Sequence, residues 1–286
     1  MTRLRLGLLG WPVAHSLSPA MHNAALAVLN LEGSYELYPV EPERLVETLP
    51  GLLKSEVDGL NVTAPYKSAV VPFLDGLAPC AKRIGAVNTI YRQGSLWMGA
   101  NTDAAGFLRA IRHTGKELRG AHVTVLGSGG AAQAALDALA SAEVSRISVV
   151  ARNTDARQAR RHQLRKQYPN IRTFDYPFGP TLGEVFSDSD ILVQATSASM
   201  QSEEEATRFA NSLPLDRLPS TSLVTDLVYQ PLRTAVIEKA SALGLSTQSG
   251  EAMLYYQAAA SLEFWTDESA PFESMAAALS DAISGR

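Results

Sequence analysis

The sequence predicts an α/β fold with two domains, and three observations favour it. Its 286 residues exceed the roughly 100 to 200 residues of one typical domain. Short apolar runs alternate with helical patterns along most of the chain, as in sheets that are covered by helices. Over residues 122–136 an apolar strand pattern, a glycine-rich turn and an Ala-rich helical run follow one another directly. This order is typical of a doubly wound, Rossmann-like domain.

The composition bears on the partners and the location that we expect. The formal net charge is -4, and the only block of like charge is Glu203 to Glu205, so neither nucleic acid nor an anionic membrane is indicated. No apolar run approaches the roughly 20 residues of a membrane span. We therefore expect a cytoplasmic protein with small-molecule partners. The single cysteine, Cys80, is consistent with a reducing compartment. The oligomeric state stays open, and a homodimer is compatible with the sequence.

The N-terminal third indicates an open α/β unit. Leu4 to Leu9 predicts a strand, and Ser18 followed by Pro19 predicts a helix with Ser18 as its N-cap. Ser16 and Ser18 therefore lie at a helix N-terminus. There they either cap the helix or form, with the helix end, a seat for a carboxylate. A strand near 34–40, a helix near 42–53 and a strand over 59–62 follow.

Two charged residues follow predicted strands in this unit. Lys67 comes after the strand over 59–62 and a proline-bearing turn, where open α/β sheets bind ligands. Most lysines are solvated surface charges, so Lys67 alone is a weak indication of an active site. Residues 85–91 and 96–100 predict a hairpin that leads to Asp103. Asp103 either caps the helix over 104–111 or contributes to a site.

The glycine-rich turn is a candidate seat for a dinucleotide pyrophosphate. Gly127 and Gly129 fit the G-x-G-x-x-G/A pattern, whereas the later small position falls on Ala132 and Gly130 is additional. Without side chains in the way, backbone N–H groups and the positive helix end can approach phosphate oxygens. Such a turn can also serve tight packing alone. The predicted contacts are Gly127, Ser128, Gly129, Gly130 and Ala131.

The end of the next predicted strand, near 146–150, indicates which dinucleotide binds. An NAD site places an acidic residue there to hold the ribose 2'-hydroxyl, whereas a 2'-phosphate is met by arginine. This strand ends in Ala151-Arg152-Asn153 with no carboxylate, and Arg152 with Arg157 or Arg160 offers positive charge to a phosphate. The residues therefore favour NADP. The alternative is that these arginines form a solvated helix face.

The rest of the chain completes the predicted second domain and returns to the first. Strands are predicted near 190–194 and 223–226, and helices near 252–265 and 272–283. No clear period is visible over 168–186. Residues 202–220 are interpreted as a polar, proline-containing connection.

Taken together, these stretches resemble the shikimate dehydrogenase family over essentially the full length. The matching motifs are Ser16-Leu17-Ser18-Pro19 with His22-Asn23, Asn61-Val62-Thr63 with Pro65 and Lys67, Gly85-Ala86-Val87-Asn88-Thr89, Asn101-Thr102-Asp103, the turn from Gly127 to Ala132, Asp226-Leu227-Val228-Tyr229 with Pro231, and Gly250 with Met253, Leu254 and Gln257. The resemblance implies NADP-dependent interconversion of 3-dehydroshikimate and shikimate in aromatic amino acid biosynthesis. It also implies a substrate domain of residues 1–103 and 250–286, completed by the C-terminal helices, and an NADP domain of residues 104–249.

The resemblance assigns site residues position by position. The substrate site would consist of Ser16, Ser18, Thr63, Lys67, Asn88, Asp103, Tyr229 and Gln257. Ser16 and Ser18 would hold the substrate carboxylate together with Tyr229, and Lys67 and Asp103 would meet the reacting hydroxyl as catalytic residues. The cofactor site would add Arg152, Asn153, Thr196, Gly250 and Met253 to the glycine turn. No metal ion is expected.

Some positions depart from the family pattern. Ala151-Arg152-Asn153 stands where Asn-Arg-Thr is usual, and Gln194 where asparagine is usual. Ser199 stands where glycine is usual, and Tyr66 where histidine or phenylalanine is common. Because Arg152 is retained, the NADP prediction stands.

Two alternative functions stay open. An NAD-linked quinate or quinate/shikimate dehydrogenase fits the same motifs, because a loosely fitting pocket rejects an added hydroxyl poorly. A non-catalytic, nucleotide-sensing protein could also share this fold.

Overall fold

The computed structural model describes residues 3–152, 162, 164–168, 170–176 and 181–285. The chain divides into two compact units, Met1–Gly106 with Tyr255–Arg286, and Phe107–Leu254. Each unit is built on one six-stranded sheet, which confirms the predicted α/β fold class. The predicted boundaries at 103/104 and 249/250, and the assignment of the two parts to substrate and cofactor, stay predictions.

The sheet of the first unit is mixed. Its strands are β1 (Leu4–Gly10), β2 (Gly33–Pro39), β3 (Gly59–Val62), β4 (Gly76–Leu77), β5 (Thr89–Gln93) and β6 (Leu96–Ala100), in the spatial order β2-β1-β3-β5-β6-β4. Strand β1 pairs in parallel with β2 and β3, whereas β5 pairs antiparallel with β3 and β6. The carboxyl ends of β1 and β3 therefore lie at one edge, beside the start of β5 and the end of β6.

Helices cover this sheet and include the C-terminal part of the chain. They are Ser18–Val28, Leu45–Gly51, Pro79–Ile84, the start of Asp103–His113, the end of Glu251–Thr266, and Phe272–Ser284. Short 3-10 turns lie at Pro42–Arg44 and Val71–Phe73, and a π-helical turn lies at Leu52–Glu56. Trp265 lies against the backbone of Gly59, where a β-carbon would overlap the indole, and its Nε1 donates to Ile90 O at 2.9 Å. The C-terminal helices therefore pack on the N-terminal sheet, as predicted.

The sheet of the second unit has the doubly wound order of a Rossmann-like domain. Its strands are β7 (His122–Leu126), β8 (Arg146–Arg152), β9 (Ile171–Tyr176), β10 (Ile191–Gln194), β11 (Leu223–Asp226) and β12 (Ser246–Gln248). All neighbouring pairs are parallel, and the order is β12-β11-β10-β7-β8-β9. The strand order reverses between β7 and β10, and ligands bind in the crevice at such a point. The fully buried side chains of Val123, Val125 and Val193 form part of its core.

The helices of this unit connect the parallel strands. They are the remainder of Asp103–His113, Gly130–Ser141, Thr181–Ser187, Glu203–Ser212, Ala235–Ala242 and the start of Glu251–Thr266, with 3-10 turns at Ser197–Met200 and Leu215–Arg217. Among the described residues no helix is long and apolar enough to cross a membrane.

The structure corrects the local prediction for Ser18. Ser18 is the first residue of its helix rather than the N-cap, because Leu17 occupies the cap position and no side chain caps the helix there. Instead, Ser16 Oγ accepts a hydrogen bond from the backbone N–H of Ser18 at 3.2 Å. The Ser18 hydroxyl is therefore not used for capping.

Other corrections concern segments with weak patterns. Gly85 ends the helix Pro79–Ile84 in a left-handed conformation with φ 72°, so β5 begins at Thr89 instead of residue 85. The connection over 202–220 contains the helix Glu203–Ser212, and Ser202 caps it by accepting from the backbone N–H of Glu205. Strands β9 and β12 were not predicted, because one lies in a segment without a clear period and the other has three residues.

Candidate active site

The turn that carries Lys67 is held rigidly at the end of β3. Tyr66, which is 2% exposed, donates its phenol hydrogen to Val40 O. The backbone oxygen of Lys67 accepts from the N–H of Val87 at 2.7 Å, and Tyr66 N–H donates to Thr63 O at 2.9 Å. Because the backbone is bonded on both sides of Lys67, its side chain leaves the turn in a defined direction.

Lys67 and Asp103 form a close ion pair. The distance between Lys67 Nζ and Asp103 Oδ2 is 2.5 Å, and the two side chains are 30% and 11% exposed. The other carboxylate oxygen, Asp103 Oδ1, accepts from Asn88 Nδ2 at 2.8 Å. Both oxygens of the carboxylate are therefore engaged, and its plane is fixed between an ammonium and an amide group.

The orientation of the Asn88 amide follows from its other bonds. Asn88 Oδ1 accepts from the backbone N–H of Thr102 at 2.7 Å, which requires the oxygen on that side and places Nδ2 towards Asp103. The hydroxyls of Thr89, Thr102 and Ser261 lie around this amide, with Ser261 Oγ at 2.8 Å from Thr89 Oγ1 and 3.0 Å from Thr102 Oγ1. The C-terminal helix thus contributes a buried hydroxyl to the support of Asp103.

A second amide extends these bonds to Tyr35 on β2. Asn61 Nδ2 donates to Asn88 O at 3.0 Å and to Ser261 Oγ at 2.9 Å, and Asn61 Oδ1 accepts from the Tyr35 hydroxyl at 2.8 Å. Burial raises the pKa of the Tyr35 phenol, and the Ser18 side chain is a smaller opposing cause. Hydrogen bonds therefore connect Tyr35 through Asn61 and Asn88 to Asp103 and Lys67 within the first unit.

Two aromatic rings pack behind Tyr35. His22 is fully buried and stacks on Tyr35 with 4.2 Å between ring centroids, and Trp265 lies 5.3 Å from His22. Burial lowers the pKa of His22 to about 3, with the Asn61 side chain as a smaller opposing cause. Neither ring nitrogen has a hydrogen-bond partner among the described residues. At neutral pH His22 is thus an uncharged packing partner of Tyr35.

One further predicted substrate residue contacts this network. Gln257 Oε1 lies 3.3 Å from Asn88 Nδ2. Thr63 directly follows β3, and Ser16 lies two residues before Ser18, with the cap residue Leu17 between them. Tyr229 belongs to the second unit and is half-buried there. Its predicted contact with the substrate stays a prediction.

The second unit contains a cavity of about 610 Å³ at the carboxyl ends of β7, β8 and β10. Its lining residues are Leu126, Gly127, Ser128, Gly129, Val150, Ala151, Arg152, Ala195, Thr196, Ser197, Ala198, Gln201, Phe209 and Leu213. The volume lies within the roughly 300 to 1,000 Å³ of ligand pockets. Its position at the reversal of strand order is that of dinucleotide sites in doubly wound sheets.

The glycine turn fits a bound pyrophosphate. Gly127 has φ 112°, and a β-carbon on it would lie 2.9 Å from Ala195 O, so a larger residue would be strained and crowded. Gly129 caps the helix Gly130–Ser141, and β-carbons on Gly129 or Gly130 would point into open space. Ser128 is buried, and Ala131 is exposed in the first helical turn. The open space over a helix N-terminus suits an anion.

The remaining predicted cofactor residues differ in what the structure shows of them. Arg152 ends β8 and lines the cavity, and Thr196 lines it from the opposite wall. Asn153, like Arg157 and Arg160, lies outside the described residues. Two of the predicted contacts, Gly250 and Met253, lie outside the cavity lining. A β-carbon on Gly250 would be 2.5 Å from Leu227 O, so close packing explains this glycine without a cofactor.

Sequence reasoning missed part of the cavity wall. Phe209 lies on the helix Glu203–Ser212, and Leu213 follows it, within the stretch whose pattern predicts a polar connection. The sequence does indicate the start of this helix, because Ser202 and Glu205 have the spacing of a capping box. In the structure Ser202 Oγ contacts both the backbone N–H and the carboxylate of Glu205. Among the described residues no group of His, Cys, Asp and Glu could hold a metal ion.

Family models cover most of the chain. The shikimate dehydrogenase substrate binding domain matches residues 8–90, shikimate / quinate 5-dehydrogenase matches residues 109–216, and the shikimate 5'-dehydrogenase C-terminal domain matches residues 250–279. The shikimate dehydrogenase (NADP(+)) of Symbiobacterium thermophilum is 35% identical over 282 residues, which are 98% of this chain and 95% of that protein.

Solved structures of related dehydrogenases are also similar to this chain over nearly its full length. The shikimate 5-dehydrogenase of Thermus thermophilus in complex with NADP(H) and shikimate is 36% identical with a TM-score of 0.85, over 98% of this chain and 99% of that chain. The quinate dehydrogenase of Corynebacterium glutamicum in complex with NAD is 26% identical with a TM-score of 0.86, over 98% and 99% of the two chains. The identity to curated relatives over nearly the full length, with the predicted motifs in their order, shows that the chain belongs to the shikimate dehydrogenase family.

Proposed function

We propose that this protein catalyses the reversible, NADP-dependent reduction of 3-dehydroshikimate to shikimate in aromatic amino acid biosynthesis. The observation that carries the proposal is the Lys67–Asp103 pair, which Asn88 orients at the carboxyl edge of the first sheet. The names of the curated relatives and the shikimate and NADP(H) bound to the Thermus enzyme support the substrate and the cofactor. A purely nucleotide-sensing protein would not require a positioned ammonium beside a buried carboxylate.

Lys67 has the chemistry that the reduction needs. NADPH, when bound, supplies the hydride, and negative charge then develops on the former ketone oxygen. A proton donor or cation placed at that oxygen lowers the barrier. An ammonium has three donor hydrogens, and among the described residues only Asp103 accepts one from Lys67. Lys67 can therefore hold its proton at the substrate oxygen while Asp103 keeps the ammonium in place.

The other predicted residues would orient the ring. Ser16 and Ser18 lie at the start of the helix Ser18–Val28, where hydroxyls and the helix end suit the substrate carboxylate. Tyr35, in the same unit as Ser18, connects through Asn61 and Asn88 to Asp103. The carboxylate site and the reacting hydroxyl would thus be formed by side chains of one compact unit, which favours a single substrate pose.

Lys67→Ala tests the assignment of the catalytic lysine. Removing a positioned proton donor should reduce turnover by at least ~100-fold. Shikimate should still bind, because the loss concerns the transition state. The measurements are the initial rate of NADP reduction and a calorimetric titration with shikimate. Lys82→Ala, an exposed lysine in the same unit, serves as the matched control and should retain normal turnover. Near-normal turnover of the Lys67 variant would refute the role of Lys67.

The second candidate function is that of an NAD-linked quinate dehydrogenase, which the similarity to the Corynebacterium enzyme favours. Arg152 in the cavity wall favours NADP instead, because its guanidinium suits a 2'-phosphate. Initial rates with shikimate and quinate, each with NADP and NAD, separate the two functions. A larger kcat/KM for quinate with NAD would overturn the proposal.

The cytoplasmic location and a homodimer are further predictions, and sedimentation analysis tests the predicted homodimer.

A further inference from the structure

Asp226 is a buried carboxylate for which the proposed reaction has no use. It ends β11, and its side chain is fully buried. Its Oδ2 accepts from Ser199 Oγ at 2.7 Å and from Thr234 Oγ1 at 2.7 Å, and its Oδ1 accepts from the N–H of Val228 at 3.0 Å. Burial raises the pKa of Asp226, and these hydrogen bonds oppose the rise. A buried group with this many dedicated donors indicates a defined structural task.

The direction of these hydrogen bonds is fixed. Gln194 Oε1 accepts from the backbone N–H of Thr196 at 3.0 Å, which sets the orientation of the amide. Gln194 Nε2 then donates its two hydrogens to Thr196 O at 3.0 Å and to Ser199 Oγ at 3.1 Å. Since Ser199 receives a hydrogen from Gln194, its own hydrogen is directed to Asp226. Gln194 therefore donates to Ser199, and Ser199 donates to Asp226.

These bonds end at the wall of the cofactor cavity. The Gln194 side chain forms hydrogen bonds with both the backbone N–H and the carbonyl oxygen of Thr196. The Thr196 hydroxyl in turn caps the turn Ser197–Met200 by accepting from the N–H of Ala198 at 3.1 Å. Thr196, Ser197 and Ala198 line the cavity, whereas Ser199 lies behind them and is 2% exposed. Ser199 is thus placed to set the position of the wall without touching what binds in the cavity.

We propose that Ser199 is a positioning residue for the cofactor: by joining Gln194 to Asp226, it holds Thr196, Ser197 and Ala198 in the arrangement that binds NADP. The proposal rests on the proposed function only in taking NADP as the occupant of this cavity. Asp226 provides the fixed end, because Thr234, which also caps the helix Ala235–Ala242, and the backbone of Val228 hold the same carboxylate. Without the Ser199 hydroxyl, one hydrogen of Gln194 and one acceptor site of Asp226 lose their buried partner.

The test is a calorimetric titration of the purified protein with NADP, in the absence of any turnover. Ser199→Ala should raise the Kd for NADP roughly tenfold, which corresponds to about 1.4 kcal/mol. The matched control is Ser222→Ala, which removes another fully buried serine hydroxyl that donates to Ser189 O at 2.7 Å. Ser222 precedes β11, whereas Asp226 ends it. Both variants should lower the Tm, but the control should keep the Kd within about twofold of the unchanged protein.

Two further measurements separate positioning from general destabilisation. In steady-state assays Ser199→Ala should raise the KM for NADP and leave kcat at saturating NADP within about twofold, because Lys67 and Asp103 are untouched. Asp226→Asn should weaken NADP binding as well, and in the double variant the losses should not add, since both changes interrupt one path. If Ser199→Ala binds NADP as tightly as the unchanged protein, or if the losses add fully, the proposal is overturned. If the unchanged protein does not bind NADP, the proposed function falls with it.

Discussion

Asp103 is held by the side chains of Lys67 and Asn88, whereas the cavity beside Gly127 is lined by glycines, alanines, apolar side chains and several uncharged polar residues. The first arrangement can be impaired by removing a single atom, because each donor and acceptor there has a dedicated partner. The second is impaired mainly by adding atoms, because space and backbone access are what it offers to a phosphate. Arg152, the charged exception in the cavity lining, is where removal should matter most.

After the loss of turnover in Lys67→Ala, the largest effect is expected for Arg152→Ala. Loss of a charged, bidentate partner of the 2'-phosphate should raise the KM for NADP by roughly 10- to 100-fold and leave the KM for NAD nearly unchanged. Steady-state rates with both cofactors measure the difference. Arg119→Ala is the control, because Arg119 is an exposed arginine of the same unit that pairs with Glu143 outside the cavity lining. An equal rise in the KM for NADP and for NAD would show that Arg152 does not bind the 2'-phosphate.

Gly127→Ala should have the next largest effect. The φ of 112° and the 2.9 Å approach of a β-carbon to Ala195 O should cost about 1–3 kcal/mol in the free energy of unfolding. Displacement of Ala195 should also weaken NADP binding by ~10-fold or more. Chemical denaturation and calorimetric titration measure the two quantities.

Gly129→Ala is the matched control for stability. Gly129 has φ -76°, and a β-carbon there would meet nothing within 4 Å. The free energy of unfolding should stay within about 0.5 kcal/mol, while NADP binding should still weaken if the pyrophosphate occupies that open space. Unchanged NADP binding in both glycine variants would place the cofactor elsewhere.

The extent to which the sequence predicted the two regions differs as well. The strand before Gly127 and the strand before Lys67 were visible as apolar runs, and parallel strands place their carboxyl ends at a common edge. The support of Asp103 was not visible, because the bond from Asn61 to Ser261 joins residues separated by 200 positions. Periodicity reports which face of an element is buried, not which polar groups meet across the fold.

The helix Glu203–Ser212 was missed for a different reason. Its buried positions are Ala206 and Ala210, which give a weak apolar stripe beside three glutamates in the first turn. Gln194 and Ser199 contact each other at 3.1 Å, although they lie five positions apart in the sequence. Such a pair of side chains is not visible from single positions in the sequence.

A smaller effect is expected for Tyr35→Phe, which removes one hydroxyl and keeps the ring that stacks on His22. Asn61 Oδ1 would lose its donor. The KM for shikimate should rise about fivefold, equivalent to about 1 kcal/mol, while the Kd for NADP stays unchanged. Tyr91→Phe, on β5, is the control and should leave both values unchanged. An equal change in NADP binding would show that the two regions do not act separately.

The effect that is smallest near neutral pH, and grows in acid, concerns the stability of the first unit. The pKa of His22 is lowered to about 3 in the folded protein, against an ordinary value of 6.5. As the pH falls below 6.5, the unfolded chain takes up a proton that the folded protein does not, so the free energy of unfolding decreases until about pH 3. At pH 6 this contribution is still below about 1 kcal/mol.

His22→Phe should remove this component of the pH dependence and keep an aromatic ring between Tyr35 and Trp265. Urea unfolding at pH 7.5, 6 and 5 measures it, with the exposed His15→Gln as the control. The loss of stability between pH 7.5 and 5 should be smaller in the His22 variant than in the unchanged protein, and the same in the control. An unaltered pH dependence in His22→Phe would mean that His22 takes up its proton in the folded protein over the same pH range as in the unfolded chain. At pH 5 the ring stacked on Tyr35 would then carry a charge beside the network that orients Asp103.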